Sequence, residues 1–163
     1  MRRDAYFASR EIEGWPRPAD IEHYFLAPSG KRWFFETRND SAGFSAEGVD
    51  GSGDLEPNAG RIDIDLSLWG HPQYGVLLIW SKWGGGHKEM YSSKGDLSRL
   101  RELVLSTHGT PLPVGLFVPF EVAWKAVKEF LENDGALPKS IEWIANRDLP
   151  PNTFPDPVAH RQA

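Results

Sequence analysis

The chain has 163 residues, of which 40% are hydrophobic and 25% are charged, and its formal net charge is −5. These values are typical of a globular protein, and the acidic balance argues against direct binding of nucleic acid through its phosphates. The absence of cysteine excludes disulfides and thiolate sites. No apolar stretch approaches the roughly 20 residues that span a bilayer, and no apolar run follows the charged N-terminus, so we expect a cytoplasmic protein without a membrane partner.

The N-terminal third gives weak secondary-structure signals. Residues 1–18 are polar and interrupted by glycine and proline, which predicts an irregular or weakly stranded arm. Residues 19–26 predict a short helix that ends before Pro28, and the aromatic and β-branched residues 32–38 predict a strand. Residues 39–60 are rich in Gly, Ser, Asp and Asn, and they predict a long loop that is either functional or mobile.

The middle of the chain has the clearest strand signals. In residues 61–68 apolar side chains alternate with polar ones, so we expect one buried face and one face in water. Residues 75–83 are apolar on both faces, which predicts a central strand. The glycines at 84–86 favour a hairpin over a ligand-binding loop, with residues 88–93 as the partner strand.

Two helices are predicted in the C-terminal half. Asp96 can cap the first, whose buried side would carry the leucines of residues 97–105. The second, at about 119–134, has proline in its first turn, an apolar stripe at helical spacing and a glycine after its last turn. A short strand containing an inward Trp143 follows, and residues 148–163 predict a Pro-rich extended tail.

These elements predict a single α+β domain over residues 1–147. We expect an antiparallel sheet of about four or five strands, packed by two or three helices, with the long C-terminal helix (about 119–134) covering one face. Trp80 is expected in the core, whereas Trp124 is expected to lie partly outside it.

The sequence has no nucleophile elbow, phosphate-cradling loop or His-Glu-x-x-His motif. It does have an acidic loop followed by carboxylates on the polar face of strand 61–68. Such a surface either keeps the protein in solution or attracts a basic partner protein and raises its association rate. With two tryptophans that can anchor a contact, the candidate partner-binding residues are Glu47, Asp50, Asp54, Glu56, Asp63, Asp65, Trp69 and Trp83.

Two other functions are open from the residues alone. The same two tryptophans, with His71, would suit a small-ligand or carbohydrate-binding domain. Asp63 and Asp65, with His87, would suit a metal-dependent enzyme, because carboxylates at alternate strand positions share a face about 7 Å apart. The leading interpretation needs no cofactor, metal or catalytic residue.

The C-terminal part of the sequence contains a longer pattern. The run from Gly115 to Pro119 is followed by Ala123, Ala126, Phe130-Leu131, Gly135, Pro138 and Ile141-Glu142-Trp143. This pattern resembles the C-terminal signature of the Imm1 immunity proteins, in which an aliphatic-Pro step precedes a helix and a closing tryptophan. It covers about the last third of the predicted domain.

The resemblance implies a bacterial cytoplasmic antidote, without enzymatic activity, that is encoded beside a secreted or polymorphic toxin. Toxins paired with this family are often deaminases or nucleases. The implied mechanism is a one-to-one complex with the cognate toxin, in which the immunity protein covers the toxin's substrate cleft. The motif residues would then be structural and hold the helix against the sheet: Pro119, Ala123, Phe130, Gly135, Pro138 and Trp143.

Overall fold

The computed structural model describes residues 1–7, 10–28, 33 and 40–155. The strands in these residues are β1 Arg2–Phe7, β2 Arg10–Glu13, β3 Ser41–Glu47, β4 Asp63–His71, β5 Gly75–Gly84, β6 His87–Ser93, β7 Leu103–Leu105, β8 Pro111–Pro113, β9 Phe117–Val118 and β10 Trp143–Ala145. The helices are α1 Pro18–Leu26 and α2 Phe120–Glu132. None of the described helices is long and apolar enough to cross a membrane.

Eight strands form one antiparallel sheet in the order β10-β6-β5-β4-β3-β1-β2, and β9 pairs with the start of β5. β7 and β8 form a separate two-stranded ribbon. The predicted fold class, with four or five strands and a long C-terminal helix, is therefore wrong. The described residues are mostly sheet with two helices, and the long helix, present at Phe120–Glu132, is followed by β10.

Three of the additional strands lie where the sequence predicts no regular strand. β1 and β2 lie in the arm that was expected to be irregular or weakly stranded, and β3 lies inside the expected loop at 39–60. In β3 the buried residues Ala42, Phe44 and Ala46 alternate with polar and small ones. Alanine and glycine are depleted in strands, so composition conceals this alternation, and pairing on both sides with β1 and β4 stabilises the strand.

The helix predicted after Asp96 is also wrong. The Asp96 carboxylate accepts a hydrogen bond from the Ser98 N–H at 3.1 Å, but helical geometry ends after one 3-10 turn, Leu97–Arg99. The chain then enters β7, and antiparallel pairing with β8 satisfies its backbone groups. Leu97 and Leu100 therefore pack against a second core around Leu77 and Leu116 instead of lining a helix, whereas Leu105 is exposed.

Two parts of the predicted chain fall outside the described residues. The expected strand at 32–38 lies outside the described residues except for Trp33, which is buried and helical. Residues 156–163 of the expected tail also lie outside them. The described part of that tail lies against the protein: Leu149 contacts the second core, and Thr153 is buried with its hydroxyl donating to the Pro150 carbonyl at 2.6 Å.

Helices α1 and α2 cover one face of the sheet. Apolar residues at alternate positions of β4 and β5, such as Leu66 and Leu78, are fully buried beneath them. Trp124 is buried as well, contrary to expectation, because its ring packs against Phe25 of α1 with 5.3 Å between centroids. Trp80 lies in this core as predicted. Within the described residues, the opposite face is covered at one end, by the second core that residues 94–116 and Leu149 help to form.

The end of α2 is joined to the middle of the sheet. The Gly135 N–H donates to the Phe130 carbonyl at 2.9 Å, and the Gly135 carbonyl accepts a hydrogen bond from Trp80 Nε1 at 2.8 Å. Three residues later the buried Pro138 carbonyl accepts one from Trp143 Nε1 at 2.7 Å. Residues of the C-terminal pattern thus connect α2 to β5 and β10.

We expect Gly135→Ala to lower the free energy of unfolding by about 2 kcal/mol. Gly135 has φ +87, and a Cβ there would lie 3.3 Å from Trp15 and 3.4 Å from the Phe130 ring, so backbone strain and a tight contact add. Urea denaturation measures the loss. The matched control is Gly86→Ala, because Gly86 has φ +79 but no atom within 4 Å, and it should cost about 1 kcal/mol. Equal losses would contradict the role of the contact.

Candidate binding surface on the open face of the sheet

The uncovered end of the sheet's second face presents side chains from five strands. We define the open face by the residues that the strand register places in three adjacent rows: Arg2, Glu47, Asp63 and Trp83; Glu13, Asp4, Ser45, Asp65 and Ser81; Glu11, Tyr6, Gly43 and Ser67. Side chains directly opposite each other on paired strands share a face and lie about 5 Å apart. The surface is therefore continuous across the paired strands.

The open face contains a groove of about 680 Å³. Its floor is formed by Gly43, Ser45 and Ser67, whose small side chains leave the space above the backbone empty. Tyr6 forms part of the wall. The carboxylates of β1, β2 and β4 form the rest of it: Asp4, Glu11, Glu13 and Asp65. Concavities of this size bury a drug-sized ligand or a short stretch of a partner.

Asp63 is the best-satisfied carboxylate of the open face. Its two oxygens accept hydrogen bonds from Arg61 at 3.0 and 3.1 Å, and Oδ1 also accepts from the Gly48 N–H at 3.0 Å. Only 3% of the residue is exposed, contrary to the expected solvated strand face. Arg61 also approaches Glu47 at 3.8 Å, so this cation holds the loop before β4 against β3.

Asp65 lies one row further along β4, half-buried beside the exposed Trp83. Trp83 Nε1 donates to Asp65 Oδ2 at 3.1 Å, which fixes the orientation of an indole that is 43% exposed. Burial raises the pKa of Asp65, the Trp83 hydrogen bond lowers it, and the nearby Asp63 and Glu47 raise it further. The net direction is upward, so the ionised Asp65 is held at a cost to the folded state.

The fold brings together half of the residues that the sequence suggests for partner binding. Glu47, Asp63, Asp65 and Trp83 lie side by side on the open face. The loop carboxylates do not join them. Asp50 forms an ion pair at 2.7 Å with Lys82, a β5 residue that points to the other face, and Asp54 and Glu56 are exposed along the loop.

The aromatic platform of the ligand-binding alternative is not assembled. Trp69 lies opposite Leu77 and packs against the second core, whereas Trp83 is six residues further along β5, roughly 20 Å away. His71 is beside Trp69's end of the sheet, its ring 4.8 Å from that of Tyr74, and burial lowers its pKa.

The metal-dependent alternative also lacks its assembled site. His87 lies opposite Gly84 and pairs with Glu89 at 3.0 Å, on the face away from Asp63 and Asp65. Within the described ranges, no group of three or more His, Asp or Glu side chains is arranged to hold a metal ion.

Several residues of the open face were missed from the sequence because β1, β2 and β3 were not recognised. They are Asp4, Tyr6, Glu11, Glu13, Gly43 and Ser45. The signal that could have found them is the alternation of Ala5 and Phe7 in β1, and of Ala42, Phe44 and Ala46 in β3, with polar residues. With them, the open face carries six carboxylates, whereas the cations described on or beside it are Arg2, Arg61 and Lys88.

We expect Asp63→Ala to lower the free energy of unfolding by about 3 kcal/mol, because it removes the bidentate acceptor of Arg61 in a buried site. The Gly48 N–H keeps its hydrogen bond to the Ile62 carbonyl at 2.9 Å. Chemical denaturation gives the value. Asp54→Ala removes an exposed carboxylate from the same region and should change stability by less than about 0.5 kcal/mol. A small loss for Asp63→Ala would contradict the structural role of this ion pair.

Asp65→Asn is expected to raise the melting temperature at neutral pH. A carboxyl group with a raised folded-state pKa favours the folded state while protonated, and this advantage is lost as the pH rises through the folded pKa. The gain from the substitution should therefore disappear near pH 3, below the ordinary aspartate value of about 3.9. Scanning calorimetry at both pH values measures this, with Asp54→Asn as the control. A gain that does not depend on pH would contradict the electrostatic cause.

The open face has the features of a protein-binding surface: a concave floor, a carboxylate rim and an exposed, oriented tryptophan. The fold is thus a sheet-based domain with a carboxylate-rimmed groove on its open face. The family described as "Immunity protein Imm1" matches residues 35–145, well over half of the chain. The chain therefore belongs to the Imm1 family of immunity proteins, and the resemblance of its C-terminal pattern is confirmed.

The matched region runs through β3–β10 and α2, and it omits β1, β2 and α1. The groove is consequently built from family-matched strands on one side and from the preceding hairpin on the other. A search of curated proteins found no significant match. Membership of this family makes the chain an immunity protein, whose function is to bind a toxin.

Proposed function

We propose that this immunity protein neutralises its cognate toxin in a one-to-one complex by placing its open face over the toxin's active site. The observation that carries the proposal is the excess of carboxylates around the groove on the open face of the sheet. The core and the helices lie on the other face, so a partner can dock without disturbing the packing of the domain.

The charge of the open face favours a basic partner. Arg61 forms an ion pair with Asp63, and Arg2 forms one with Asp4 at 3.0 Å. Glu11 and Glu13 form no ion pair within the described part of the chain, and Asp65 has only the Trp83 N–H. Exposed carboxylates without partners create a negative potential that accelerates the approach of a cationic surface.

An enzyme that acts on nucleic acid has such a surface, because its active site must attract the phosphate backbone. We therefore propose a toxin of this kind, a deaminase or a nuclease. The immunity protein needs no chemistry of its own. Its carboxylates take the place of the substrate phosphates, Trp83 supplies a desolvated anchor, and the covered cleft excludes nucleic acid.

The test is charge reversal on the outer strand. Glu11→Lys combined with Glu13→Lys is expected to raise the dissociation constant for the toxin domain encoded beside this gene by about tenfold or more at low salt, since like charges would then face each other. Isothermal calorimetry at two salt concentrations gives the affinity and the stoichiometry, and co-expression gives the rescue of growth.

The matched control is Glu121→Lys combined with Glu132→Lys, which changes the net charge equally on exposed positions of α2, beyond the opposite face. It should leave affinity almost unchanged. Equal weakening by both pairs would mean that net charge alone matters, and a wild-type protein that forms no complex would refute the proposed function.

A further inference from the structure

Gly43 is a glycine that the fold itself does not require. It lies in the middle of β3, between Tyr6 on β1 and Ser67 on β4, and its φ is not positive. Among the described residues, a Cβ at this position would meet only the Leu66 carbonyl oxygen, at 3.8 Å, which is an ordinary contact. Glycine weakens a strand interior, so a glycine without a conformational or packing reason often marks the close approach of another molecule.

The space that Gly43 leaves is the floor of the groove. Ser45 lies two positions further along the same strand and Ser67 directly opposite, so three small residues adjoin where larger side chains would fill the concavity. Asp65 borders this floor from β4, and Glu11 and Glu13 border it from β2. A side chain entering the groove would therefore meet carboxylates from two sides.

We propose that the groove over Gly43 receives an arginine-bearing segment of the toxin, with the guanidinium group seated on the Gly43 backbone. This inference rests on the proposed function. Arginine fits better than lysine because its flat guanidinium can lie on a floor without side chains, stack against the Tyr6 wall and bond a carboxylate with two N–H groups. The groove volume also admits the residues that flank the arginine.

The decisive variant is Gly43→Val, which fills the floor with a residue that favours strands. The melting temperature should stay the same or rise, while the dissociation constant for the toxin domain encoded beside this gene should increase by about tenfold or more. A glycine retained for folding would give the opposite result for stability. Ser81→Val is the comparison variant, because it enlarges a residue of the open face outside the groove, and it should weaken binding clearly less than Gly43→Val does.

If Gly43→Val fails to fold, Ser67→Val fills the same floor from β4. The same increase of about tenfold or more in the dissociation constant is then expected for Ser67→Val. Wild-type affinity in the folded variant would overturn the groove proposal and leave the proposed function intact. Equal weakening by Ser81→Val would overturn it too, because the whole face would then matter. A wild-type protein that binds no toxin would instead refute the function on which the inference rests.

The arginine itself is identified by a double-mutant cycle. Each surface arginine of the toxin domain is replaced by alanine and titrated against wild-type and Gly43→Val immunity protein. Replacing one of these arginines should weaken binding to the wild-type immunity protein. The same replacement should weaken binding to the Gly43→Val variant much less. If no arginine couples to Gly43, that assignment is wrong.

Discussion

The structure depends on burying one face of a single antiparallel sheet beneath two helices. Side chains alternate along each strand, so this burial commits every second residue of β3, β4 and β5 to the core and releases the residues between them. The hydrogen bond from Trp80 Nε1 to the Gly135 carbonyl fixes α2 over the centre of that face. Residues 94–116 and Leu149 then help to cover one end of the other face. What is left is the open face, and its position follows from where the apolar cover ends.

The electrostatics of the open face separate folding from binding. The Arg61–Asp63 pair is buried and bidentate, so it belongs to the architecture and ties the preceding loop to the sheet. Asp65 is half-buried and accepts a hydrogen bond from the Trp83 indole N–H, and burial raises its pKa, so its charged form opposes folding. Surfaces that bind other molecules commonly retain such costs. The two carboxylates of β4 therefore differ: Asp63 stabilises the fold, whereas Asp65 belongs to the proposed binding surface.

The sequence predicts elements well where periodicity and composition agree. The central strand β5, the hairpin after it and α2 all combine a regular apolar pattern with strong stop signals, and they are found where expected. β3 was missed because Ala, Gly and Ser carry weak strand propensity, and only pairing on both sides makes it a strand. The acidic character of the surface was visible, but the groove was not, because it needs β1 and β2 beside β3. Asp63 and Asp65 look alike in sequence, and their partners distinguish them: Arg61 and the Gly48 N–H bind Asp63, whereas the Trp83 N–H binds Asp65.

The alternation of the strands also has a consequence for inheritance. On β3, the core depends on Ala42, Phe44 and Ala46, whereas the groove depends on Gly43 and Ser45 between them. Substitutions in the second set change what the surface accepts without repacking the first. In the proposed complex, single codon changes in a duplicated gene would therefore alter the groove that meets the toxin while the product keeps folding. The residues of β3 that line the groove and those that fill the core alternate along one strand, so either set can be substituted without changing the other.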